Sequence, residues 1–242
     1  MKIQINYIKE KNCNGLDVKD FDWGTIRVRK ITLKFDSLSS RHKLKKYINK
    51  IIKYRKWLEI KDEVTINLYN YSENNMLIEN FANLVATIIE AHTLKELYDK
   101  AYVLSCDYLD FYFYQKNACD FCDNKCGEKK TTNITTGCCH YFRGDDNKVG
   151  IFSHNPKLIL CDYLQKDGKC SIKSIGCKLF TCDYLNKKGI KFRTNDIFSI
   201  YAVFNWIQKL ILTLELYTPQ EITIDKLMKV PNFKFINKFF KK

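Results

Sequence analysis

Proline and glycine are scarce in this chain: three prolines and nine glycines among 242 residues. So few chain breakers exclude a collagen-like or low-complexity chain. No apolar run is long enough and clean enough for a membrane span. The N-terminus, Met1-Lys2-Ile3-Gln4-Ile5-Asn6-Tyr7, is interrupted by a polar residue at every second position, which argues against a secretory signal. The most apolar segment, Ile197 to Tyr217, carries Asn205, Gln208, Lys209 and Glu215 and reads as a buried or partner-facing helix. Phosphate-cradling glycine motifs and the Walker loop are missing, and so is the His-Glu-x-x-His of zinc proteases. Without Cys-x3-Cys-x2-Cys, a radical-SAM assignment is disfavoured. No constellation assigns a catalytic residue. The expected compartment is the cytoplasm, where thiols stay reduced and clustered cysteines indicate metal before disulfides.

The first 115 or so residues carry regular periodicity. Ile3, Ile5 and Tyr7 alternate with polar residues as in a half-buried strand. Ile26 and Val28 begin a second strand whose phase slips at Arg29-Lys30 before Ile31, Leu33 and Phe35, which predicts a β-bulge. Val64, Ile66 and Leu68 mark a third. Between them Leu44, Ile48, Ile51, Ile52 and Leu58 share one face of a helix from about Arg41 to Leu58. Ile78, Phe81, Val85, Ile88 and His92 share a face of the next helix, placing His92 in the core. Thr93-Leu94-Lys95-Glu96 reads as a capping box opening a third helix through Leu97, Ala101, Leu104, Tyr108 and Tyr112.

From Asn117 to Gly189 the character changes. Seven of the nine glycines fall here, with nine of the eleven cysteines: Cys119, Cys122, Cys126, Cys138, Cys139, Cys161, Cys170, Cys177 and Cys182. Two residues between Cys119 and Cys122 let one turn present both sulfurs to one ion. Thiolates are soft ligands and select zinc, copper(I) or iron–sulfur. Nine cysteines among Gly, Lys, Asp and Asn have little apolar core to enter as small hydrophobes, the role that suits the solitary Cys13 and Cys106. His140, beside the Cys138-Cys139 pair, is either an imidazole ligand or a polar neighbour; His154 reads as a loop residue. Cys161-Asp162-Tyr163-Leu164 is echoed by Cys182-Asp183-Tyr184-Leu185, and the two copies read as equivalent ligand-bearing turns. Cys106-Asp107-Tyr108-Leu109 shares the same four residues within a helical pattern.

The stretch Cys161-Asp162-Tyr163-Leu164, then Gly168-Lys169-Cys170-Ser171-Ile172, then Cys177-Lys178-Leu179-Phe180 resembles the second half of the YkgJ-type cysteine-cluster proteins, called zinc- or iron-chelating domain proteins. Cys119, Cys122 and Cys126 followed by Cys138-Cys139 look like an expanded version of that family's compact first half. Flagellin lysine methylases carry a related cluster. The resemblance covers residues 119–185 and implies metal binding: an iron–sulfur cluster, 4Fe–4S in the first instance, or zinc. The chain departs from the family in the insertion after Cys126, in Ser174-Ile175-Gly176 where the family has Arg-Pro, and in the extra Cys182.

Beyond Gly189 the chain returns to helix. Thr194, Asn195 or Asp196 is placed to cap the apolar stretch, and Thr218-Pro219-Gln220-Glu221 reads as a second capping box with Pro at the first helical position. The expected fold is α+β: a small mixed or antiparallel sheet with helices over 1–116, a loop-rich cysteine metal module over 117–190, and a helical segment over 191–242. The net charge is +14, and residues 41–56 carry eight Lys or Arg and no acid. That helix points to nucleic acid or another polyanion as partner, although AT-rich codon usage also enriches Lys and Asn. The apolar Ile197–Tyr217 segment points to a protein partner.

Overall fold

The computed structural model describes residues 2–8, 15–23, 26–36, 40–55, 63–69, 76–111, 113, 121–122, 125–126, 139–148, 154–165 and 170–231. The chain divides into two compact units, one built on Met1–Leu104 and the other on Ser105–Pro231. The architecture is α+β.

The first unit holds β1 (Lys2–Ile8), β2 (Gly15–Trp23), β3 (Ile26–Asp36), α1 (Arg41–Arg55), β4 (Glu63–Tyr69), α2 (Met76–Glu90) and the start of α3 (Leu94–Asp110). Its sheet has the order β1-β4-β3-β2. β4 lies between β1 and β3 and is parallel to both, and β2 closes the edge antiparallel to β3. Parallel neighbours need a crossover, and α1 supplies it between β3 and β4. Val64, Ile66 and Leu68 of β4 are fully buried while Glu63, Thr65 and Asn67 are not, the period of two expected of a strand with one covered face. Leu44, Ile48, Ile51 and Ile52 form the buried stripe of α1. The Phe35 ring meets Phe81 edge-on at 4.7 Å and Tyr47 at 5.3 Å, which ties β3, α2 and α1 into one core.

Three local expectations change. β3 has no bulge: it pairs one-for-one with β2 from Gly15–Lys34 to Trp23–Ile26. β4 pairs with β3 only over Lys30–Asp36, so the apolar phase of Ile26 and Val28 is not held to the face of Leu33 and Phe35. β2 was not anticipated. His92 is exposed, beyond the end of α2. Its N–H donates to Glu96 Oε2 (2.8 Å), while the Thr93 hydroxyl accepts from Glu96 N–H (3.1 Å). The box thus forms with its carboxylate arm reaching one residue further back than expected. Leu58 and Tyr112 lie outside the described residues.

The second unit contains the hairpin β5 (Phe121–Cys122)–β6 (Lys125–Cys126), the antiparallel pair β7 (His140–Arg143) and β8 (Lys157–Leu160), and the helices α4 (Ile175–Leu179), α5 (Asp183–Lys187), α6 (Phe198–Val203), α7 (Trp206–Leu214) and α8 (Gln220–Lys229). The Ile197–Tyr217 stretch is two helices, broken at Phe204 and Asn205, both extended. Asn205 caps α7: its side chain accepts from Gln208 N–H (2.9 Å), and Gln208 Oε1 accepts from Asn205 N–H (3.0 Å). This Asn-x-x-Gln box wins over helix continuation because it satisfies two otherwise orphaned donors. Fully buried Gln208 also donates to Leu227 O of α8 (3.2 Å).

None of the three expected caps starts α6; Ile197 stands at its N-cap without a side-chain bond, and Asp196 accepts from Arg193 N–H instead. The Thr218 box is not made either. The Thr218 hydroxyl donates to Glu215 Oε2 and Leu216 O, and Pro219 sits at the cap. Among the described residues no helix is long and apolar enough to cross a membrane.

Candidate metal centre

Cys161 follows β8 directly, and its N–H donates to Cys139 O (2.8 Å), extending the β7–β8 ladder by one rung. A tight turn follows, with Leu164 N–H donating to Cys161 O (3.0 Å). Leu164 bridges to Cys170, and Ser171 N–H and hydroxyl both donate to Tyr163 O, so the turn brings Cys170 beside Cys161.

Cys177 arrives on α4. Ser174 caps this helix by accepting from Cys177 N–H (3.4 Å) and donates to Glu215 O (3.0 Å) just after α7. Gly176 faces the same crossing. A Cβ there would lie 2.7 Å from Glu215 O and 3.0 Å from Leu212 O, so only glycine allows α4 and α7 this close. The chain then turns at Tyr217, whose φ is +57°, and its N–H donates to Cys177 Sγ (3.0 Å).

Cys161, Cys170 and Cys177 thus come from three separate segments and sense one another electrostatically. Burial pushes the Cys161 thiol up; the Tyr163 N–H pulls the other way, while Cys170, Cys177 and Asp162 add repulsion. Burial also raises Cys177, against hydrogen bonds from Ser174 and Tyr217, with Cys170 again repelling. The Cys177 sulfur receives a main-chain N–H donor, the pattern that stabilises sulfur carrying negative charge. Among the described residues, however, no three His, Cys, Asp or Glu side chains converge closely enough to hold one ion. The three thiols interact at longer range than ligands of a common metal.

No family model matches the chain, and no curated protein or solved structure matches it.

The other predicted ligands are scattered. Cys139 is buried beside buried His140, whose Nδ1 lies 3.2 Å from the Cys139 sulfur. Cys182 is half-buried ahead of α5, its carbonyl accepting from Asn186 N–H. Cys119 and Cys138 lie outside the described residues; for Cys122 and Cys126 the backbone places them on the β5–β6 hairpin. The two Cys-Asp-Tyr-Leu copies are not equivalent: the first is a turn closed from Leu164 to Cys161, the second opens a helix. The third copy lies within α3, where Cys106 is fully buried and donates to Lys173 O (3.0 Å). Burial there raises its pKa. His154 is exposed in a loop.

Two features escaped the sequence. Lys178, next to Cys177, is almost wholly buried and ion-paired with Asp110 of α3, 68 residues away. On β7, the Tyr141 hydroxyl donates to Asp162 Oδ2 (2.9 Å), and Arg143 donates to the same carboxylate (2.6 Å). Burial and that carboxylate push Tyr141 up to about 12. The Tyr141 ring packs on Tyr217 at 4.8 Å. One network therefore anchors the residue after Cys161 and the residue donating to Cys177.

Proposed function

We propose that this chain is a metal-binding protein whose clustered thiolates hold an iron–sulfur cluster or a zinc ion. The observation carrying this reading is the run of nine clustered cysteines in which the Cys177 sulfur is held by the Tyr217 main-chain N–H. The donor chemistry fits: soft thiolates suit both groups, and bound metal removes the proton that burial otherwise holds on Cys161 and Cys177. On this reading metal binding draws Cys161, Cys170 and Cys177 together as ligands, since the structure does not hold them at ligand distance. The remaining positions fall to other cysteines of the 119–182 run. A cluster would supply one-electron transfer, and a zinc ion would supply folding free energy; a redox or accessory enzymatic role follows from the first. Elemental analysis and visible absorbance of protein purified without oxygen test the reading. Iron with sulfide and a brown colour supports the cluster, stoichiometric zinc without colour supports the ion, and metal-free protein refutes both.

A second reading, an interaction scaffold, is favoured by α7 and α8. Trp206, Leu210 and Leu214 recur every four residues along α7 and are exposed, as is Ile222 on α8. Such an apolar stripe on a folded surface marks a contact for another chain. Light scattering of the parent and of Leu210→Lys/Leu214→Lys tests it: a parent that associates and a variant that does not supports it, and a monomeric parent with no partner refutes it.

A further inference from the structure

α1 carries five Lys and two Arg in fifteen residues and no Asp or Glu. Its apolar stripe is buried, so its other side faces solvent. Lys43, Lys46 and Lys50 are exposed there, at i, i+3 and i+7, with His42 and Asn49 beside them. At 1.5 Å rise per residue this row spans about 10 Å. Lys46 and Lys50 are one turn apart and repel. Among the described residues none of the three has a carboxylate partner. Elsewhere in the same unit lysines do pair: Lys30 with Glu63, and Lys100 with Glu90 and Glu96. Lys43, Lys46 and Lys50, by contrast, line one exposed row of a helix that has no acidic residue to neutralise it.

We propose that the solvent side of α1 is a binding surface for the sugar–phosphate backbone of nucleic acid, with Lys43, Lys46 and Lys50 as its cations. This goes beyond the metal reading and does not depend on it. A duplex presents one phosphate charge per ~1.7 Å of axis, so a 10 Å row faces several. The flexible lysine arms reach phosphates without demanding one strand geometry. A lipid surface is the poorer match, because a helix lying on a bilayer inserts apolar side chains and positions 42, 43, 46, 49 and 50 hold none. Among the described side chains of this row, none offers a ring for base stacking. Tyr47, the aromatic ring between Lys43 and Lys50, is half-buried against Phe35 with Lys50 Nζ 5.7 Å from its centroid. The surface therefore recognises charge and not sequence.

The test is binding of the full-length chain as purified to fluorescent 20-base single-stranded and duplex oligonucleotides of two unrelated sequences, and to anionic vesicles, between 50 and 200 mM salt. Both oligonucleotide sequences should bind alike. Affinity for duplex should fall about 40-fold or more over that range if three phosphates are neutralised. Lys43→Glu/Lys46→Glu/Lys50→Glu should lose on the order of a hundredfold at the lowest salt, with a log–log salt slope smaller by about 3. Lys43→Gln/Lys46→Gln/Lys50→Gln should show the same slope change, and circular dichroism establishes that both variants fold. Lys187→Glu/Lys229→Glu, on α5 and α8, should bind like the parent. No binding at 50 mM salt, unchanged affinity in the folded α1 variants, equal loss in the α5/α8 variant, or binding to vesicles alone would each overturn the proposal.

Discussion

The main-chain N–H of Tyr217 donates to the Cys177 sulfur at 3.0 Å, from a residue held at a φ of +57°. For a non-glycine residue that backbone conformation costs roughly 1–2 kcal/mol. The surroundings hold it there: the Tyr217 ring packs on Tyr141, and Ser174 ties α4 to Glu215 two residues upstream. Asparagine tolerates this conformation and keeps the N–H; proline can do neither. Tyr217→Asn is therefore expected to keep the parent's metal per chain and Tyr217→Pro to lose it. Elemental analysis distinguishes them, and equal metal in both would remove the N–H from the account.

Gly176→Ala places a methyl 2.7 Å from the Glu215 carbonyl, where backbone cannot rotate away. The expected cost is about 1–3 kcal/mol, as for other overpacked sites. Urea unfolding at fixed metal occupancy measures it, and a variant as stable as the parent would show that α4 and α7 separate easily.

Two capping positions give opposite expectations. Asn205→Ala should cost about 0.5–2 kcal/mol, because it removes the acceptor for Gln208 N–H at a buried cap. Thr218→Ala should stay within about 0.5 kcal/mol, because its hydroxyl serves no helix donor. Paired chemical melts decide, and the reverse order would restore the sequence-based assignment.

These caps show what was legible in the residues. The periodicities of β4 and α1 were readable because each buries one clean face. β2 was not, since Asp17, Lys19, Asp20 and Asp22 break its apolar pattern, as suits an edge strand. The Asn205-x-x-Gln208 box was visible but hidden by a continuous apolar run around it. The cysteine spacing marked the candidate region, yet how near the thiols stand to one another depends on tertiary structure. So does the main-chain donor of Tyr217, which any residue except proline would carry. Lys178 gave no sign of its partner Asp110, 68 positions away.

Glu96 accepts from His92 N–H and pairs with Lys100, which together hold its carboxyl below the ordinary value of 4.5. A depressed folded pKa means the stabilisation is full above 4.5 and is lost as pH falls through the lower folded value. The parent should lose stability over that acid window, and Glu96→Gln should lose less. Melting temperatures from pH 6 downward test this, with parallel curves counting against the cap.

Metal per chain beside thermal melting, measured for single Cys→Ser variants, tests the central claim most directly. Cys161→Ser, Cys170→Ser and Cys177→Ser should each lower bound metal and melting temperature together, because a bound site contributes its free energy to the fold. Cys106→Ser, which removes only a buried thiol donating to Lys173 O, should leave metal content unchanged. Full metal and parent-like melting in the first three, or metal loss in Cys106→Ser, would contradict the account.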